Sequence, residues 1–266
     1  MNKKRPPLDK TRLLLTNDDG IAAPGLKVLV RVARQLSGDV WVCAPETEQS
    51  GAGHSLTLRH PLRLRRVSRR RHAVDGTPTD CVLLALHHIL KDRPPDLVLS
   101  GINRGGNMGE DITYSGTVAA AMEATLLGVP AIALSQHLSE SHTKAHWSTA
   151  EQYAADLVRR LWDAGWPEGV FINVNFPDVS VADMTGIEVT RQGQRKIGEN
   201  LDQRTDPRGR SYFWVGTLRN DAEPAAGTDL AAVHAGRVSV TPVHMDLTHR
   251  AAASALRKSL GEHSGT

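Results

Sequence analysis

Residues 13–20 read LLLTNDDG: three leucines and a threonine that end in Asn17, Asp18 and Asp19. A run this apolar reads as a strand covered on both faces, because a strand with one wet face would alternate. Two neighbouring carboxylates repel, and burying either is costly unless a cation or a set of donors compensates. The corner after this strand is therefore either a plain turn in open water or a place where something positive is held.

Working outward, RLLLT (12–16), DVWVCA (39–44), DLVLS (96–100), PAIALS (130–135) and GVFINVNF (169–176) also read as buried strands. Helical patterns lie between them. One runs from Pro24 to about Ser37, with Leu26, Leu29, Val30, Ala33 and Leu36 on one face. Another starts at TPTD, where Thr77 suits the N-cap, Pro78 the first turn and Asp80 the third position. A third spans Gly116 to Leu127 and is closed by Gly128; a fourth spans roughly Ser148 to Ala164. This alternation predicts an α/β fold on a doubly wound, mostly parallel sheet. LTLRHPLRLRRV (56–67) has short alternating pieces and is expected as a hairpin outside that sheet. Beyond residue 180, GIEVTRQGQRK, RSYFWVGT and GRVSVTPVHMDLT look like strands joined by long polar connections. The expected division is a basic lead (1–10), an α/β core (11–180), a β-rich C-terminal arm suited to exchange between subunits (181–249) and a tail (250–266).

The bulk numbers set bounds on this reading. The 266 residues, 40% hydrophobic and 23% charged, are those of a globular chain with a sizeable core. No apolar stretch nears the roughly 18 residues needed to span a bilayer. No apolar signal region follows the basic MNKKRPPLDK, so a cytoplasmic location is expected, with Cys43 and Cys81 as buried, reduced thiols. A net charge of only +3 does not mark a binder of nucleic-acid polymers. The basic run RLRRVSRRRH (63–72) reads as a solvated strand and turn, or else as a patch that attracts anionic substrates.

In a doubly wound sheet, ligands bind beyond the carboxyl ends of the strands. Four polar segments fall there: NDDG, APETEQSGAGHS (44–55), SGINRGGNMGEDITYSGT (100–117) and SQH (135–137). Asp18 and Asp19, with Ser50 and Asn103 on neighbouring strand ends, form an all-oxygen donor set suited to Mg²⁺ or Mn²⁺. The plainer alternative is an Asp19–Gly20 turn with Asp18 as a helix cap. The 100–117 loop holds five glycines and leads into a helix, so its backbone N–H groups suit an anion, with Ser115, Gly116 and Thr117 at the mouth. No Gly-Lys-Ser/Thr appears and no GxGxxG follows the first strand, which excludes a P-loop and argues against a dinucleotide site. His54 is open between proton donor, substrate contact and ordinary loop histidine. Asp80 is expected as a cap, Asp111 as loop charge, and Glu123 as a buried mid-helix acid of structural or functional use.

LLLTNDDGIAAPGLKVL, APETEQSGAGHSLTL, GTPTDCV and PDLVLSGINRGGNMGEDITYSGTVAAAMEATLLGVPAIALS together resemble the survival protein E (SurE) family of metal-dependent nucleotidases. DPRGRSYFWVG and GTDLAAVHAGRVSVTPVHMDLT resemble its C-terminal region, so the likeness covers roughly residues 11–249. The resemblance implies a Rossmann-like core with a C-terminal arm that helps to build homodimers or homotetramers. It implies hydrolysis of nucleoside 5′- and 3′-monophosphates, with short polyphosphate as a further substrate, supported by one divalent ion, Mg²⁺ or Mn²⁺. Carried over by position, metal ligands fall on Asp18, Asp19, Ser50 and Asn103, and phosphate contacts on Asn107, Ser115, Gly116 and Thr117. The sequence departs from the family's pattern in its basic lead, which the short members lack, and in the Arg-dense RRVSRRRH segment (65–72). Two rivals stand beside this reading. An aspartyl-phosphate phosphatase of the haloacid-dehalogenase kind needs acids two residues apart, whereas these are adjacent. A non-catalytic nucleotide-binding module has less need of so many anions beside a phosphate.

Overall fold

The computed structural model describes residues 5–139, 145–197, 201–215, 219–220 and 223–261. In chain order the elements are β1 (Arg12–Thr16), α1 (Pro24–Arg34), β2 (Asp39–Pro45), β3 (Leu64–Ser68), β4 (Arg71–Val74), α2 (Pro78–Leu84) and β5 (Leu97–Arg104). Then follow α3 (Gly116–Leu126), β6 (Ala131–Gln136), α4 (Trp147–Ala164), β7 (Val170–Phe176), β8 (Gly186–Val189), β9 (Lys196–Ile197) and β10 (Leu201–Thr205). The chain closes with β11 (Ser211–Val215), β12 (Arg219–Asn220), α5 (Asp229–His234), β13 (Arg237–His244) and α6 (Arg250–Ser259).

Nine strands form one sheet in the order β3-β4-β2-β1-β5-β6-β7-β13-β8. The run from β4 to β7 is parallel throughout. The three leucines of β1 show why that strand is apolar on every residue. Leu13 and Leu15 pack on one face with α1 and α4, and Leu14 on the other with α2 and α3. From β1 the chain moves outward to β2 and β4, then returns to place β5 on β1's other side. The carboxyl ends of β1 and β5 thus flank the point where winding reverses, where a ligand crevice opens. Close packing holds the two ends together. A Cβ on Gly25 of α1 would lie 1.9 Å from the Ile102 carbonyl oxygen of β5, so only glycine lets the helix sit this low.

Helix starts follow the expected chemistry. Thr77 accepts from the Asp80 N–H while the Asp80 carboxylate accepts from the Thr77 N–H, a complete capping box with Pro78 in the first turn. Ser115 caps α3 by accepting from the Val118 N–H. The basic lead is docked from Arg5 onward: the Arg5 guanidinium lies 4.7 Å from the Trp162 ring and 4.1 Å from the Trp166 ring, and Trp162 donates to the Pro6 carbonyl at 2.8 Å.

Two expectations are corrected. The segment 56–67 does not form a hairpin outside the sheet: β3 pairs antiparallel with β4, and both belong to the main sheet as its edge. Arginines of this edge and its turn protect it and meet acids, Arg65 of β3 with Glu46 at 2.6 Å and Arg70 of the β3–β4 turn with Asp39 at 3.3 Å. Nor is everything from 181 to 249 an arm. β13 pairs antiparallel with β7 and β8 parallel with β13, so both extend the main sheet. The separate part is the antiparallel hairpin β10–β11, together with the short pair β9–β12. The two pieces of RSYFWVGT and GRVSVTPVHMDLT look alike in sequence, but only the second finds an open sheet edge, beside β7.

Cys43 and Cys81 are both buried and not disulfide-bonded. Among the described residues no helix is long and apolar enough to cross a membrane.

Candidate active site

The acid pair sits where β1 ends. Asp18 is 4% exposed, and Asp19 is partly buried. The Asp18 Oδ1 accepts the Thr117 hydroxyl proton, which ties the acid to the first turn of α3. The chain around it is fixed in turn: the Gln49 N–H donates to the Asp18 carbonyl at 2.8 Å, and Asn17 Nδ2 donates to the Gly20 carbonyl at 3.0 Å. A Cβ on Gly116 would come within 2.7 Å of the Asp18 Cβ, so glycine is what lets α3 approach. Asp19 Oδ2 accepts from the Arg104 N–H at 3.3 Å, which joins the acid to the end of β5 beside Asn103.

The electrostatics of this corner are those of an anion excess. Burial pushes the Asp18 carboxyl above its ordinary range, against the opposing hydroxyl and N–H of Thr117. Burial and then the Asp18 charge push Asp19 up to about 6, and Glu48 adds to both. The N–H and charge of Arg104 pull Asp19 down without cancelling the rise. Two acids are thus held close in a low-dielectric corner with a net demand for positive charge.

The donor set fits a hard divalent ion. Besides the two carboxylates, Ser50 is exposed on the β2 loop, its hydroxyl donating to Glu48 at 2.9 Å. Asn103 donates its Nδ2 to the Gly105 carbonyl at 2.9 Å, which leaves its amide oxygen for a cation. A register shift between β5 and β6 from Ser100 to Asn103 changes the pairing just before Asn103, which then pairs with Ser135 at the strand's end. Oxygen donors of carboxylate, hydroxyl and amide type suit Mg²⁺ or Mn²⁺, and a cation there offsets the burial, and then the neighbouring negative charge, that raise these acids. Among the described residues no trio of His, Cys, Asp or Glu forms a metal cluster, so the set depends on Ser50 and Asn103.

The positions expected at phosphate are placed as follows. Ser115 Oγ is committed to its cap on Val118 N–H, and the Thr117 hydroxyl to Asp18. Of the first N–H groups of α3, that of Thr117 also serves Asp18, which leaves Gly116 N–H without a partner among the described residues. Asn107 is buried: its N–H donates to Asn175 Oδ1 at 2.8 Å and its Nδ2 to Ser135 Oγ at 2.8 Å. His54 is not bonded to the acids. Its Nε2 lies 2.9 Å from Glu123 Oε2, so two residues weighed separately in the sequence form one pair that joins the loop after β2 to α3. Asp111 is not solvated loop charge as expected; it forms a buried ion pair with Arg195 at 2.5 Å.

Sequence reading missed Glu48, Asn173 and Asn175. Glu48 lies two residues before Ser50 on a loop already singled out. The two asparagines carry a period-2 signal in FINVNF, polar residues at alternate positions of an otherwise apolar strand.

Fold and site together define an α/β protein whose parallel sheet presents an acidic, oxygen-rich corner and a glycine-rich loop at one edge. A family model described as Survival protein SurE matches residues 13–199. Proteins named 5′-nucleotidase SurE match over nearly the whole chain. That of Paramagnetospirillum magneticum is 64% identical over 90% of this chain and 92% of its own. That of Parvibaculum lavamentivorans is 57% identical over 94% and 91%. The SurE protein of Aquifex aeolicus, solved by crystallography, superposes with a TM-score of 0.80 at 42% identity, covering 94% of this chain and 99% of its own. The chain belongs to the SurE family.

Proposed function

We propose that this chain is a 5′-nucleotidase, a phosphomonoesterase that releases phosphate from nucleoside monophosphates with the help of a divalent metal ion. The observation that carries the reading is the buried Asp18–Asp19 corner, whose raised carboxyls demand positive charge, set against the first turn of α3 at the sheet's switch point. Similarity to proteins named 5′-nucleotidase SurE supports the substrate class.

In this reading Asp18, Asp19, the Ser50 hydroxyl and the Asn103 amide oxygen hold one Mg²⁺ or Mn²⁺. Such an ion supplies Lewis acidity, neutralising phosphoryl charge and acidifying the attacking water. Thr117 fixes Asp18 in one orientation; Asp18 would orient the water and take its proton as the water oxygen bonds phosphorus, and that proton would go to the nucleoside oxygen as its bond to phosphorus breaks. The free Gly116 N–H at the start of α3 and the remaining Nδ2 hydrogen of Asn107 donate to the phosphoryl oxygens, fixed dipoles that need no reorganisation as charge develops. His54, held by Glu123, stands at the substrate side as a contact. Nucleoside 5′-monophosphates are the main substrates, with 3′-monophosphates and short polyphosphate as further ones.

Assembly belongs to the same proposal. The hairpin β10–β11 exposes Leu201, Phe213 and Trp214, at 63%, 58% and 61%. Aromatic surface of this kind marks a contact site, and a second copy of the chain is its partner, in a homodimer or homotetramer.

Phosphate release from AMP and from p-nitrophenyl phosphate, with Mg²⁺ or Mn²⁺ and after chelation, tests the reading. Release that stops with chelation and returns with metal is expected. Nucleotide binding without any release would identify a binding module instead.

A further inference from the structure

A row of polar side chains crosses the carboxyl end of the sheet where apolar residues would ordinarily lie. Asn103 of β5 is in register with Ser135 of β6, Ser135 with Asn175 of β7, and Asn175 with Ser239 of β13. Ser135, Asn175 and Ser239 are fully buried, as is Asn173 two residues before Asn175. Burying four polar side chains in a sheet core is costly unless each is bonded; Ser239 meets Thr190 at 2.8 Å, and the bonds of the other three converge on one residue outside the sheet.

That residue is Asn107. Asn175 grips its peptide at two points, accepting from the Asn107 N–H at 2.8 Å and donating to the Asn107 carbonyl at 3.0 Å. This is the pairing a neighbouring strand would give, supplied instead by a side-chain amide. Asn173 donates to the same carbonyl at 2.8 Å, and Ser135 accepts from Asn107 Nδ2 at 2.8 Å. Only a primary amide presents a donor and an acceptor side by side, so asparagine suits position 175 in a way that serine, aspartate or leucine does not. The consequence for Asn107 is one of elimination. Of its three hydrogen-bond donors, the N–H and one Nδ2 hydrogen are taken, and the amide plane is fixed with a single donor left over.

We infer that Asn175 is a positioning residue that, with Asn173 and Ser135, sets the backbone and amide plane of Asn107 and so aims the glycine-rich loop at a phosphate group. The inference deepens the nucleotidase reading and rests on it for the identity of the anion. The polar row also ties the loop to Asn103, a proposed metal ligand, through their shared neighbour Ser135. Neither Asn173 nor Asn175 touches the acid pair by any hydrogen bond, so their loss acts on the loop.

The test compares Asn175→Ala, Asn173→Ala and Asn107→Ala with the unaltered protein, each checked for a cooperative melt. Three quantities are read: inhibition by inorganic phosphate, kcat and KM for p-nitrophenyl phosphate, and Mn²⁺ affinity. For Asn175→Ala, phosphate inhibition weakens and KM rises by about tenfold, the scale of one lost hydrogen bond network member, while Mn²⁺ affinity stays within about twofold. Asn173→Ala gives a smaller shift, about threefold, because Asn175 still holds the carbonyl. A folded Asn175→Ala with unchanged phosphate inhibition overturns the inference. If Asn107→Ala is equally silent, the phosphate reading of the loop falls with it; if Asn107→Ala responds, only the role of Asn175 falls. Should Asn175→Ala fail to fold, Ser135→Ala removes the anchor of the Asn107 amide, and unchanged inhibition there overturns the inference equally.

Discussion

Replacing Asp19 by asparagine is expected to make the metal-free protein more stable. In the folded chain the Asp19 carboxyl is pushed from 3.8 to about 6 by burial and by the neighbouring Asp18 charge. A rise of about 2 units at about 1.4 kcal/mol per unit gives about 3 kcal/mol, reduced to about 2 because Asp19 keeps some contact with water. The sign follows from proton binding. Between 3.8 and about 6 the folded state holds a proton that the unfolded chain has released, so stability falls as pH rises through that window. The penalty is fully present above it and absent below 3.8. Asp19→Asn keeps an oxygen for the Arg104 N–H and removes the charge. In EDTA at about pH 7.5 it therefore melts roughly 4–8 °C above the unaltered protein, and the gap narrows toward pH 4. With Mn²⁺ at about 100 times its Kd the order reverses, because binding adds about 2.7 kcal/mol to the native acid pair. Thermal melts with EDTA or Mn²⁺ across this pH range make the check. An Asp19→Asn protein that melts at or below the unaltered one in EDTA at about pH 7.5 refutes the reasoning.

Thr117→Val removes the hydroxyl that donates to the buried Asp18; it costs about 1–3 kcal/mol for the stranded acceptor, read by urea melts, and lowers kcat by misorienting Asp18. Gly25→Ala places a Cβ 1.9 Å from the Ile102 carbonyl oxygen, so α1 lifts from β5 at a cost of about 1–3 kcal/mol, seen as a lower urea midpoint. Thr77→Ala loses both the α2 cap and a hydrogen bond from its hydroxyl to the Ser55 carbonyl at 2.8 Å; the cost is about 1–2 kcal/mol, with loosening of the His54 loop visible in hydrogen exchange. Trp214→Ser on the exposed hairpin shifts the chain toward monomer in sedimentation experiments, and any stability that association adds is lost with it.

The fold was legible where periodicity and chain order suffice. LLL at 13–15 announced a strand covered on both faces, and Leu14 does pack opposite to Leu13 and Leu15. TPTD announced a capping box because the cap depends on residues three apart and little else. What depends on distant partners was not legible. β3 and β13 mix polar with apolar residues, and nothing local says whether such a strand joins an existing sheet or stands alone. The same holds at the site. The types of Asp18, Asp19, Ser50 and Asn103 suggested an oxygen donor set, but the bonds between distant parts of the chain did not show. Thr117 serves Asp18, His54 meets Glu123 across a sequence separation of 69, and Asn107 is held by residues 66 and 68 positions away.

Manganese located by anomalous diffraction in soaked crystals tests the central claim most directly. One anomalous peak is predicted at the end of β1, within ligand distance of carboxylate oxygens from Asp18 and Asp19 and shared with Ser50 and Asn103. A protein that hydrolyses AMP with manganese while this position carries no peak would contradict it.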